Sequence, residues 1–207
     1  FHNGYICGVK QLENVMKTIA TLVLALAATV AGAVERPRLE VTPVRENKAI
    51  VALANERPSL FEISVNAADG TLVYRHETKE IQTGYRKLFD FSGLEDGRYE
   101  LSVKVNTSTV KRSVTIRDGG LQVGDSELRF DPYFTWSENL LKISYLNFDK
   151  DHLRFYIFDT KGETLYESSL GKEFNTIAGY DLKGLDPGLY TVVITGGNKE
   201  FVYDLTK

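Results

Sequence analysis

The chain of 207 residues holds a single cysteine, Cys7. It lies upstream of Met16, the expected start, so the mature chain is expected to have none. Without cysteine pairs an exported protein has no disulfides and depends on its core alone. Histidine is nearly as scarce, with three residues in all. Neither His76 nor His152 belongs to an H-x-x-x-H pair or any other ligand spacing that would hold a transition metal. There is no G-x-S-x-G elbow, no Walker loop and no G-x-G-x-x-G turn after a strand. The chain is therefore expected to be no enzyme, and to use neither cofactor nor metal. Charge of one sign is lacking too: 25 Lys and Arg mix with 28 Asp and Glu for a net charge of −3. A nucleic-acid partner would need a clustered positive surface to displace counterions, and no basic block exists.

Long apolar runs are also few. One opens after Met16 and Lys17, extends from Ile19 to Val30, and is followed by Ala31-Gly32-Ala33. Basic start, apolar stretch and A-x-A triplet are the order of a secretory signal peptide, with cleavage expected before Val34. The run is about a dozen residues, short of the roughly 20 that span a bilayer. Residues 1–33 are thus read as upstream residues plus leader. The mature chain is expected in the periplasm, at the cell surface or outside the cell, without a transmembrane anchor.

No sustained helical stripe follows Val34. The period there is two, as in Phe61-Glu62-Ile63-Ser64-Val65 and Tyr99-Glu100-Leu101-Ser102-Val103. Such alternation marks antiparallel strands with one buried face. Asp69-Gly70, Lys161-Gly162 and Gly196-Gly197-Asn198 supply the turns between strands. The pattern also repeats. Leu39-Glu40-Val41-Thr42-Pro43 pairs with Leu128-Arg129-Phe130-Asp131-Pro132, Glu46-Asn47 with Glu138-Asn139, and Phe89-Asp90-Phe91 with Tyr180-Asp181-Leu182. The expected organisation is a first sandwich over 34–118, a Gly- and Asp-rich linker over 119–126, and a second sandwich over 127–207. The fold class is all-β, two tandem antiparallel immunoglobulin-like β-sandwiches.

Both copies carry one phrase, Gly93-Leu94-Glu95-Asp96-Gly97-Arg98-Tyr99 and Gly184-Leu185-Asp186-Pro187-Gly188-Leu189-Tyr190. It resembles the tyrosine corner of immunoglobulin and fibronectin type III domains. The resemblance implies that Tyr99 and Tyr190 close one end of each core while their hydroxyls bond upstream backbone. Gly97 and Gly188 are expected to permit a tight turn into the strand. These four residues are read as structural.

The second copy carries a further likeness. Phe155-Tyr156-Ile157-Phe158-Asp159-Thr160-Lys161-Gly162, then Tyr180-Asp181-Leu182-Lys183-Gly184-Leu185, then Gly188-Leu189-Tyr190-Thr191-Val192 resemble the C-terminal sorting domain of Bacteroidetes type IX secretion cargo. The similarity covers about 55 residues. It implies an exported sandwich of Bacteroidetes type and a domain recognised by secretion machinery.

Where the copies differ, surfaces can be compared. Ser64 and Asn66 align with Tyr156 and Phe158 at positions expected to face outward. Large rings there either pack on the other sandwich or under a loop, or form an interface. Tyr133 and Trp136 fall in a segment that the second copy lengthens, where they either fill the core, stack on a sugar or anchor a protein. Asn147-Phe148-Asp149-Lys150-Asp151 reads as a turn, with calcium the lesser alternative. The expected function is a non-catalytic exported binding or structural module. Its partner would be an envelope or secretion-machinery protein, or a glycan. The alternatives are a sorting signal in the second sandwich and, third, a carbohydrate-binding module.

Overall fold

Alternating apolar and polar residues become 15 strands in the computed structural model, which describes residues 36–207. The expected leader, its cleavage point and Cys7 lie outside those residues. In the first half, β1 (Arg38–Pro43), β2 (Lys48–Ser59) and β5 (Gln82–Asp90) form a sheet in the order β1-β2-β5. Facing it are β4 (Leu72–Glu77), β3 (Glu62–Ala67), β6 (Gly97–Val105), β7 (Ser108–Arg117) and β8 (Gly120–Phe130), in that order.

The second half repeats the plan. A three-stranded sheet is ordered β13 (Asn175–Asp181), β10 (Leu140–Leu146), β9 (Tyr133–Ser137). A four-stranded sheet is ordered β12 (Thr164–Gly171), β11 (Leu153–Phe158), β14 (Leu189–Gly196), β15 (Lys199–Thr206). Neighbouring strands are antiparallel throughout. The described chain is all-β, two tandem immunoglobulin-like sandwiches.

Every second residue of the central strands points inward. Val51, Ile63, Leu101 and Val103 are fully buried in the first core, as are Leu141, Phe155, Val192 and Ile194 in the second. Each such side chain contributes about 1.5–3 kcal/mol by leaving water, which is how the described fold stands without a crosslink.

The stretch 119–126, expected as a linker, is strand from Gly120 onward. Asp118 and Gly119 have φ of 50° and 74°, and they form a two-residue turn that pairs Arg117 with Gly120. Asp-Gly chemistry here builds a tight hairpin, not a flexible connection. A bulge opposite Ser113 shifts the phase of β8, so that Leu121, Val123 and Leu128 all pack on the first core. At this bulge a Cβ on Gly124 would lie 2.2 Å from Ser113 Oγ, which would have to rotate aside, and 3.6 Å from Ser113 Cβ. Arg112 ties the bulge down, donating to the carbonyls of Leu39 and Gly124.

The register of the repeat changes accordingly. β1 corresponds to β9 and not to Leu128–Pro132, the segment that the sequence pattern pairs with it. The hairpin residues Glu46, Asn47, Glu138 and Asn139 all have positive φ and mark the true correspondence. The mismatch arose because the end of β8 also alternates apolar residues up to a proline.

Candidate functional site

The tyrosine phrase sits at the start of β6 and β14, the corresponding strands of the two sandwiches. Tyr99 donates its hydroxyl proton to the Glu95 carbonyl at 2.9 Å, and Tyr190 donates to the Asp186 carbonyl at 2.7 Å. Each ring lies over its own glycine: a Cβ on Gly97 or Gly188 would sit 3.8 Å from it, an ordinary contact. Neither glycine has a positive φ. The glycines therefore do not supply the special backbone conformation expected of them.

Tyr156 and Phe158 alternate outward on β11, with ring centroids 5.8 Å apart and planes 18° apart. Across the sheet Tyr156 pairs with Val193, and Val193 with Val202. Val193 is only 8% exposed although it points away from the core, whereas Val202 is 56% exposed. The neighbouring rung runs Phe158, Thr191, Asp204. Arg154 and Glu167 close one side with a 3.3 Å ion pair. The first sandwich carries the opposite chemistry in the same place. Its rung runs Ser64, Ser102, Lys111, with Ser64 and Ser102 joined by a 2.8 Å hydroxyl bond. Lys111 there pairs with Glu100 at 2.7 Å.

Tyr133 and Trp136 do not join this face. They stand on β9, in the other sheet, and not on a lengthened loop. Three residues apart on a strand, they point to opposite sides. Trp136 packs against the second core, and Tyr133 is 68% exposed in a row with Ser144 and Ile177. Of the four candidates, then, only Tyr156 and Phe158 come together. Val193 and Val202 complete their patch and were missed by the sequence reading. Their signal was their position opposite Ser102 and Lys111 of the first copy.

The acidic loop after β10 is a turn organised by Asn147. That side chain, fully buried, donates to the Asp151 carbonyl at 2.9 Å and accepts from the Asp151 amide at 3.1 Å. Lys199 then bridges the loop, donating to Asp149 and, at 3.2 Å, to Asp151. The hydrogen bond from Lys199 holds the Asp149 carboxyl below its usual range. Burial opposes the charge on Lys199, but its bonds to the two carboxylates outweigh that and raise its pKa. The cation of this loop is an ammonium. His76 packs between the rings of Tyr74 and Tyr85. Among the described residues no three His, Cys, Asp or Glu side chains converge as metal ligands.

No family model and no curated protein matches the chain. Solved structures do. A biofilm-associated protein BSP domain is 12% identical and aligns over 82% of this chain and 29% of its own, with a TM-score of 0.28. An uncultured Clostridium sp. β-glucuronidase is 14% identical over 83% of this chain and 34% of its own, with a TM-score of 0.27. Native α-2-macroglobulin from Escherichia coli, spanning domains MG0-NIE-MG1, is 11% identical over 80% and 60%, with a TM-score of 0.28. The chain thus spans less than two thirds of each of these proteins.

Proposed function

We propose that this chain is a non-catalytic exported module whose second sandwich binds a protein of the cell envelope through the outer face of β11, β14 and β15. One observation carries the reading: the rung Tyr156, Val193, Val202 stands where the first sandwich has Ser64, Ser102, Lys111. Duplicated folds share core requirements, so a solvent-facing rung that turns from polar to apolar calls for a reason outside the core. Aromatic residues are enriched where proteins meet.

Recognition of the second sandwich by type IX secretion machinery, as a sorting signal of Bacteroidetes type, is the second reading. Its support is local. The Asp159–Glu163 stretch of the sorting-domain likeness is a tight turn in which Asp159 accepts from the amides of Lys161 and Glu163. The carbohydrate-binding reading is the weakest, because Trp136 faces inward and leaves Tyr133 as a single exposed ring on its strand. A photo-crosslinking side chain placed at position 156 tests the first reading in the intact protein within its envelope. Crosslinks to one protein from position 156 and none from position 64 are expected. Equal labelling from both positions contradicts the proposal.

A further inference from the structure

A sandwich has two open sides where the edge strands of its sheets face each other, and the side between β12 and β13 is filled in the second sandwich. Tyr180 stacks on Phe155 at 4.1 Å, Tyr166 meets both rings, and the Tyr180 and Ser168 hydroxyls share a 2.9 Å bond. The matching side of the first sandwich lies between the edge strands β4 and β5. Ile63 stands there in place of Phe155, so the close stacked pair across the core is absent. The Tyr180 counterpart, Phe89, keeps the edge contact, to Tyr74 at 5.4 Å, and stacks on Phe91 at 6.1 Å. What remains is an open cleft of about 280 Å³, walled by Val65, Val73, Tyr74, Leu88, Phe89 and Leu94. That is the lower edge of small-molecule pockets, which start at about 300 Å³.

The rim of the cleft holds Lys87 and Asp90. Asp90 is engaged: its carboxylate accepts from the Ser92 amide at 3.0 Å and pairs with Lys48 at 3.7 Å. Lys87 is different. Among the described residues no carboxylate lies within 4.0 Å of its ammonium. It lines the cleft at the edge strand β5, on the same side of the strand as Phe89. The second sandwich has Ala178 at that position.

We propose that this cleft binds a small amphiphilic carboxylate, with its apolar part against Phe89 and Leu94 and its carboxylate on Lys87. An unneutralised cation above an apolar recess selects a ligand with both features. An uncharged hydrophobe leaves the ammonium unmatched, and a cation is repelled by it. The site lies on the first sandwich and is independent of the face around Tyr156. An inward-pointing lysine on an edge strand also discourages strand pairing between molecules, and the experiment separates that role from binding.

Octanoate, octanol and octylamine are titrated into the intact protein, with NMR signals of Val73, Leu88 and Phe89 as the readout. Saturable shifts are expected for octanoate, with octanol weaker by about threefold, the scale of a solvent-facing ion pair, and octylamine weaker still. Lys87→Gln is expected to lower octanoate affinity to the octanol level and leave octanol unchanged, while Lys87→Arg retains the preference. Three results overturn the proposal: no saturable shift at these residues, unchanged octanoate affinity in Lys87→Gln, or self-association of Lys87→Gln when the parent protein takes up no octanoate.

Discussion

The phenol of Tyr180 shares a 2.9 Å hydrogen bond with Ser168, whereas the phenol of Tyr85 is buried without a partner among the described residues. Burial pushes both phenols above their ordinary pKa. A satisfied buried hydroxyl adds about 0.5–1.5 kcal/mol, and an unsatisfied one costs a comparable amount. Phenylalanine is therefore expected to act with opposite signs at the two sites. Tyr180→Phe should destabilise by about 1 kcal/mol, and Tyr85→Phe should be neutral or stabilising. Urea denaturation with matched slopes checks both.

The tyrosine corners make a graded set. Tyr99→Phe and Tyr190→Phe each remove a hydroxyl bond to backbone and are expected to cost about 0.5–1.5 kcal/mol. Tyr99→Ala also empties a 9% exposed ring position and should cost about 3–5 kcal/mol, as large aromatic truncations do. Thermal unfolding distinguishes the two classes.

Two glycines of the second sandwich, Gly196 at the β14–β15 hairpin and Gly184 in the connection between the sheets, are not equivalent. A Cβ on Gly196 would sit 2.5 Å from Leu153 Cδ2 and 3.3 Å from Asp151 Cβ, whereas one on Gly184 meets nothing within 4 Å. Gly196→Ala is expected to destabilise by about 1–3 kcal/mol through overpacking. Gly184→Ala should change the unfolding midpoint little, and a reversed order would contradict the packing described for β14.

The Lys199 bridge makes a pH prediction with a definite sign. The folded pKa of Asp149 is lowered, so its contribution is complete above the unfolded carboxylate value, about 3.9, and is lost as pH falls through the folded value. The folded pKa of Lys199 is raised. Its contribution is complete below the unfolded lysine value, about 10.4, and is lost as pH rises through the folded value. The pair is partly solvated, with side chains 46% and 35% exposed, so the effect is expected to stay below about 1 kcal/mol. Lys199→Met should flatten the acid limb of a stability-against-pH curve relative to the parent protein.

The strands and most of the core were legible in the sequence because an antiparallel sandwich with one buried face writes its burial as a period of two. Ile63, Val65, Leu101 and Val103 are all inward, as their alternation implied. The pairing of Tyr156 with Phe158 was legible for the same reason, since neighbours two apart share a face. Trp136 was less so. It stands three residues from Tyr133, and a segment without clear alternation offers no phase by which to orient it. β8 was hidden by its own bulge, which breaks the alternation between Val123 and Leu128. The Asp-Gly-Gly turn beside it is equally compatible with a linker. The cleft beside Lys87 depends on a ring missing from one side of a sandwich, which shows only after the two cores are superimposed.

The face around Tyr156 is tested most directly by giving it the chemistry of the first sandwich. Co-sedimentation of the intact protein with washed envelope fractions measures partner binding for the parent, for Tyr156→Ser/Phe158→Asn and for the control Ser64→Ala. The double variant is expected to bind about tenfold or more weakly, the scale of losing an aromatic anchor. Its unfolding midpoint should stay close to the parent's, because both rings lie outside the core, and Ser64→Ala should bind as the parent does. Undiminished binding by a folded double variant would contradict the assignment of this face as the site of partner contact.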